Sequence, residues 1–332
     1  MTLNFPGRRG DMNAIVKSAK LHWRFYREFL NNRYFNVGLA AAAAAYAVRA
    51  AASGMFIPYS LQEVTNGLFN RSSHLLGQGL LLLALSGVIY AASEWGFKPF
   101  FQGIARSISL IKIGLVNSMA PRNGGERDRI GRLVNDVDFV MWNVGGIINS
   151  MLPNALTAFV AEMTLFEMSP LLGLIGLVGL PVYIAVLEHY VRGVHIARAV
   201  ERRAYGESIQ AASEYMEGRA GPDAFIVAME KWLRGIDKNI HLDRVYWSIS
   251  FGTGYAVPTA IALVGVDLAN KGRLSIGSLV GSMSAALTMY TALVNAFWAI
   301  CLLGQNAVVI DRIFSMREPN GQRSQPPAQP LP

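Results

Sequence analysis

Charge is scarce in these 332 residues: Asp, Glu, Lys and Arg make up 16%, against 52% hydrophobic residues and a mean hydropathy of +0.30. A chain this apolar and this weakly charged lies outside the range of ordinary soluble domains and belongs in a bilayer. Cysteine is nearly absent. The lone Cys301 excludes a disulfide framework or a cysteine metal site within one chain. The dipeptide Gly-Lys does not occur, which rules out the Gly-x-x-x-x-Gly-Lys-Ser/Thr loop that wraps nucleotide phosphates with backbone N–H groups. Residues 1–35 have neither the apolar core nor the small-residue cleavage site of a signal peptide, so they are expected to be retained. His22, His74, His189, His195 and His241 show no spacing with acidic residues that compels a metal, and no Ser/His/Asp grouping stands out. The expectation is a protein with no catalytic motif, no metal and no bound cofactor of its own.

What the chain does have is long uncharged runs. Six segments are long and apolar enough to cross a membrane: 36–59, 74–93, 139–161, 168–187, 245–266 and the inner part of 274–310. Only the first contains a charge, Arg49. As a helix at about 1.5 Å per residue, the run 274–310 would be about 55 Å long, against a hydrocarbon core of about 30 Å. Its far end is therefore expected to stand beyond the lipid. With the amino terminus inside, only Arg71, Lys271 and Arg273 fall in outer loops, Arg49 lies within a span, and every other one of the 30 Lys and Arg lies on the inner side. The positive-inside rule selects that orientation. The net charge of +8 then reflects an inner surface facing anionic lipid. Nucleic acid is not expected as a partner, because no basic stretch is interleaved with exposed aromatics.

The fold class expected is an all-α membrane protein of six transmembrane helices with long cytoplasmic helical hairpins. The outer connections, 60–73, 162–167 and 267–273, are short; the inner ones, 94–138 and 188–244, read as helices that leave the membrane, break at Gly and Pro, and return. Phe97, Phe101, Ile104, Ile108, Ile111, Leu115 and Met119 recur at three and four, the spacing of an amphipathic helix continuing the second span. It breaks at "PRNGG" (121–125). The second hairpin breaks at "EGRAGPDAF" (217–225) and returns through Phe225, Met229, Trp232, Ile236 and Ile240. From Ile15, Ala19, Trp23, Tyr26 and Leu30 alternate with Lys17, Lys20, Arg24 and Arg27, which suits a helix lying in the inner interface before an elbow. Trp95, Trp142 and Trp247 fall near inner span ends, where indoles prefer to sit. The plan is an elbow region 1–35, a six-helix domain 36–317, and a Pro/Gln-rich tail 318–332 predicted to be disordered.

Four stretches add a resemblance. "GRLVNDVDFV" (131–140), with Arg132, Asn135 and Asp136, enters the third span; "SPLLGLIGLVGLPVYI" (169–184) forms the fourth; "LSIGSLVGSMSAAL" (274–287) opens the sixth and "NAVVIDRIFSM" (306–316) leaves it. In this order, with six spans, an elbow and two deep inner hairpins, residues 12–317 resemble the membrane domain of a type IV ABC exporter, the ABC transporter type 1 membrane domain. The resemblance implies that the hairpin tips, 113–125 and 215–225, form coupling helices seated on a nucleotide-binding domain. Arg122, Glu126, Arg127, Glu217, Arg219 and Asp223 would be its charged contacts, or would simply solvate the loop ends. In the family an ATPase domain follows the sixth span. This sequence holds none, so a separate ATPase subunit carrying ATP and Mg is implied, together with a second membrane chain, identical or related. The second tip lacks the family's usual glycine, lysine, phenylalanine pattern. The compartment implied is a bacterial inner (plasma) membrane with both termini cytoplasmic.

Charged and amide residues within the spans are the candidate cargo contacts. Arg49, among alanines that cannot shield it, should face a polar cavity, a carboxylate partner or an anionic cargo group, unless it snorkels to the interface. Glu94, Glu188, His189 and Glu162 lie at span ends, where interface charge is the plain explanation and pairing with Arg49 or proton carriage the functional one. Asn143, Asn149, Asn154, Asn295 and Gln305 would hydrogen-bond cargo or join helices. Arg49, Asn143, Asn149, Asn295, Trp298 and Glu162 form the candidate cavity set. The function expected is that of an exporter's membrane subunit working by alternating access. The alternatives are an ATP-independent, proton-driven peptide transporter of the same fold, and a degenerate half-transporter that moves nothing.

Overall fold

The computed structural model describes residues 12–118 and 126–317, and over them the chain is all-α. Helix α1 (Met12–Phe25) ends in a π-turn, Tyr26–Leu30. Helix α2 (Arg33–Ala51) passes through a second π-turn, Ala52–Phe56, into α3 (Ile57–Phe69). Then come α4 (Ser73–Ser118), α5 (Glu126–Met168), α6 (Pro170–Leu177), α7 (Leu180–Met216), α8 (Pro222–Asn270) and α9 (Ile276–Arg317). Among the described residues, six stretches are long and apolar enough to cross a bilayer: Arg33–Phe69, Ser73–Asn117, Asn135–Met168, Pro170–Tyr190, Pro222–Asn270 and Ile276–Ile300.

Local chemistry places the breaks. The Asn32 side chain accepts the Phe35 N–H at 3.0 Å, the N-cap that starts α2 after the elbow. Pro58 has no N–H to give, and the helix widens just before it: the Ile57 N–H reaches the Ala52 carbonyl in a π-turn. Pro170 and Pro181 each sit in a first helical turn, where a missing N–H costs nothing. At the second hairpin tip α7 ends on Gly218 with φ +69°, a left-handed conformation that a side chain disfavours. Gly221 then turns extended, and Pro222 opens α8.

Three expectations need correction. The outer connections are shorter than 60–73, 162–167 and 267–273, because α3, α5 and α8 stay helical to Phe69, Met168 and Asn270. The fourth span is broken, with Val178 and Gly179 outside both α6 and α7. The second tip is the tight turn 217–221, with no separate coupling helix between α7 and α8, since two glycines and a proline leave no run long enough for one. The first break, 121–125, and the tail lie outside the described residues.

The chain divides into two compact units. Of the described residues, the first gathers 12–42, 97–118, 126–148 and 302–317. In it the expected α4 stripe is the packed face: Phe97, Ile104, Ile111 and Leu115 are buried and Ile108 half-buried, though Phe101 is exposed. On α1 the face packed on the chain differs from the one expected to lie in the interface. Phe25 is buried against Phe314 (ring centroids 6.4 Å apart), Phe29 lies 5.7 Å from the same ring, and Arg24 caps it at 4.2 Å. Ala19 and Trp23 face outward. The helix thus carries two apolar faces, one bound to the chain and one free for the interface. His22 meets the Asn306 side chain at 3.3 Å, and burial holds its imidazole below its ordinary value. Lys112 pairs with Asp138 at 2.7 Å.

The second unit holds Ala43–Gly96 and Asn149–Cys301. Its core joins Leu165, Leu172, Tyr183, Ile261, Ala286 and Tyr290. Its longest feature is the α7/α8 hairpin. At about 1.5 Å per residue α7 is about 55 Å long and α8 about 73 Å, so the pair outruns a hydrocarbon core of about 30 Å. Its seam is made of small residues: Ala197, Ala204 and Ala211 recur every seventh position on α7, and Ala228 and Gly235 do so on α8, all buried. Small residues at that spacing let two helices approach closely. Along the seam Asn239 donates to Glu201 (2.5 Å), Lys231 to Glu207 (3.4 Å), and Tyr205 rests beside Trp232.

Candidate functional site

The second unit brings polar side chains together inside the spans. Arg49, one turn before the π-turn that precedes Pro58, donates to a Glu94 carboxylate oxygen at 2.6 Å, and its guanidinium lies 4.6 Å from the centre of the Tyr90 ring. Of the situations expected for Arg49, a carboxylate partner is the one found, and of the four charged candidates Glu94 supplies it. The Arg49 side chain is 32% exposed and that of Glu94 62%. A carboxylate that open would be far too costly against acyl chains, so the pair faces water or another polar surface. Nearby, the Tyr46 hydroxyl donates to Asn149 at 2.7 Å, and Ser53 shares a 3.3 Å contact with Thr157. Ser150 donates to the main-chain carbonyl of Asn295 at 3.4 Å, which sets α9 beside α5 at the level of Asn149. The side chains of Asn149 and Asn295 are both exposed.

The remaining candidate residues lie elsewhere. Glu162 is 8% exposed and belongs to the packed interior of the second unit. Asn143 belongs to the first unit, half-buried. Glu188 and His189 are exposed. His189 borders an apolar cleft of about 460 Å³ whose walls include Pro181, Val186, Tyr190, Leu242 and Tyr246. Trp298 sits inside an aromatic cluster that sequence reasoning missed: Tyr190, Tyr246 and Trp247 lie 6.0, 5.9 and 5.1 Å from it, and Phe297 stacks on Tyr183. A signal for it exists, since Tyr183/Tyr190 and Tyr290/Phe297 are spaced by seven, two turns apart on one helix face. Tyr190 also donates to Asp243 at 2.5 Å.

At the second hairpin tip, Glu217 and Arg219 pair with each other and Asp223 is exposed in the first turn of α8. Around them Tyr215, Met216, Phe225, Ile226 and Val227 are exposed, Met216 to 86%. Arg122 lies outside the described residues, as do the side chains of Glu126, Arg127 and Arg132. Asn135 is exposed and Asp136 half-buried on α5.

All-α over its described residues, with six candidate spans among them and an ion pair held between two of these, the chain is a multi-span integral membrane protein. No protein-family model matches it, and no curated protein sequence matches it.

Proposed function

We propose that this protein is the membrane-spanning subunit of an exporter of the ABC type, paired with a second membrane chain and driven by a separate ATPase subunit that binds ATP and Mg. The observation that carries the reading is the α7/α8 hairpin. It continues the fourth and fifth spans well past the length a bilayer needs, and it ends in an apolar tip of Tyr215, Met216, Ile226 and Val227 rimmed by Glu217, Arg219 and Asp223. An exposed apolar patch with a polar rim is the anatomy of a protein-docking surface. Large side chains along the stem, among them Tyr205, Ile209 and Leu233, are exposed as well, which suits burial against other subunits. The orientation follows from the basic residues: the tip lies on the side that holds most Lys and Arg, the cytoplasmic side. The Arg49–Glu94 pair, with Asn149 and Asn295, then lines part of the pathway, where it would meet polar groups of the cargo.

The test is co-expression of the full chain with an ATPase encoded beside it, purified in mild detergent. A stable complex with cargo-stimulated hydrolysis is expected. Met216→Asp with Ile226→Asp should release the ATPase while the chain stays folded. Retention of the ATPase by that variant would overturn the docking site. Transport that survives ATP depletion but collapses with a protonophore would replace the motor with a proton gradient.

A further inference from the structure

The break in the fourth span is built around a carboxyl group. Pro181 has no N–H for the Leu177 carbonyl, α6 stops at Leu177, and the helix restarts at Leu180. From α9, the Tyr290 hydroxyl donates to the Gly176 carbonyl at 2.7 Å and packs so closely on Gly179 that a side-chain carbon there would collide with it. From α5, Glu162 reaches the other side of Gly176. A side-chain carbon at Gly176 would come within 2.6 Å of the Glu162 Oε2 and 3.3 Å of Leu165, so any side chain there would push the carboxyl aside. Glu162 is 8% exposed, and neither of its side-chain oxygens has a hydrogen-bond partner.

A bare carboxylate in such a place is strongly disfavoured, because no donor or cation replaces the water it has lost. Neighbouring elements supply little relief. α6 carries no titratable residue, α9 presents Tyr290, and α7 presents Tyr183, whose ring lies tilted against it at 5.7 Å. α3 presents Tyr59, whose hydroxyl is given to Glu167 at 2.6 Å, and α8 contributes the apolar Ile261. A metal cation would need a ring of oxygens. Here the Gly176 carbonyl already accepts from Tyr290.

We propose that Glu162 is a proton-binding site coupled to the break in the fourth span. With its proton, the neutral carboxyl stays packed on Gly176 and the break stays closed. When the O–H bond breaks and the proton passes to water, the carboxylate withdraws from the apolar packing toward solvent, and the Gly176 face opens. The site exchanges one proton per opening. It stands apart from the question of an ATPase, since it needs no partner chain.

Two measurements on the full chain in vesicles of phosphatidylethanolamine and phosphatidylglycerol test it. In infrared difference spectra between acidic and alkaline pH, a protonated-carboxyl C=O band should vanish on the alkaline side and be missing from Glu162→Gln. Absence of the band from the wild type, or its persistence in Glu162→Gln, would overturn the assignment. In a Cys301→Ser background, Leu165→Cys, buried beside Gly176 while the break is closed, should react with a soluble maleimide at a rate that rises with pH beyond the intrinsic thiol response. Its ratio to the rate in Glu162→Gln should climb about tenfold, the change one unit of linkage gives. A ratio flat in pH, or one that follows sodium concentration instead, would refute it. Gly176→Ala, which crowds the carboxyl out, should raise labelling at acidic pH without any change at Glu162. No rise there would count against the coupling.

Discussion

Replacing Glu94 by Gln removes the negative charge from the Arg49 guanidinium while keeping the side chain's shape. In water an exposed pair of this kind is worth about 0.2–1 kcal/mol. An arginine left at the centre of a span costs about 2.5–3.5 kcal/mol on insertion scales. The side-chain exposures, 32% for Arg49 and 62% for Glu94, place the site between these limits, so Glu94→Gln should destabilise the chain by about 1–2 kcal/mol. Arg49→Met alone should cost less, because the carboxylate left behind is the more open of the two groups. The double variant should recover much of the loss, giving a coupling energy of about 1 kcal/mol. The assay is reversible unfolding in mixed micelles, followed by far-ultraviolet circular dichroism, on the two single variants, the double variant and the parent. Additive effects, with a coupling below about 0.3–0.5 kcal/mol, would refute the view that the pair is held together inside a span.

Three further outcomes are expected. His22 is held below its ordinary value by burial, so the unfolded segment binds more protons than the folded one, and stability falls as the pH drops through the unfolded value of about 6.5 toward the folded one. The protection of α1 amides relative to their intrinsic exchange rates should therefore fall from pH 7.5 to pH 5.5, and His22→Gln should flatten that response. Phe314→Ala removes a ring that Phe25, Phe29 and Arg24 all touch; a loss of about 3–5 kcal/mol, read as faster proteolysis near residues 26–32, is expected, and unchanged cleavage would disprove the anchoring. Gly218→Ala forces a side chain into φ +69° and should cost about 1–2 kcal/mol, seen as a lower midpoint in thermal unfolding with no change in helix content.

The sequence carries some of these features openly and hides others for physical reasons. The second hairpin break is legible because Gly218, Gly221 and Pro222 each constrain the backbone where they stand. Arg49 is legible because a charge among alanines must have a reason. Which carboxylate answers it is not, since Glu94 is 45 residues away and only the register of two helices decides. Glu162 reads as a span-end charge if α5 is stopped at 161; the helix continues to Met168 and carries it into the packed interior. On the hairpin the eye goes to Phe225, Trp232 and Ile240, yet alanine and glycine form the seam and Phe225 and Ile240 are left exposed. Periodicity shows that a face exists, not which of two faces a neighbour takes.

That seam has a mechanical meaning. With about 30 Å of α8 inside the hydrocarbon, about 40 Å stands free, and a tilt of about 5° at the base would swing the tip by about 3–4 Å. Ala197, Ala204 and Ala211 set close against Ala228 and Gly235 make the arm stiff, so that displacement arrives at the far end undiminished. Widening the seam with one bulky residue would leave both ends intact and yet make the arm bend where it now turns.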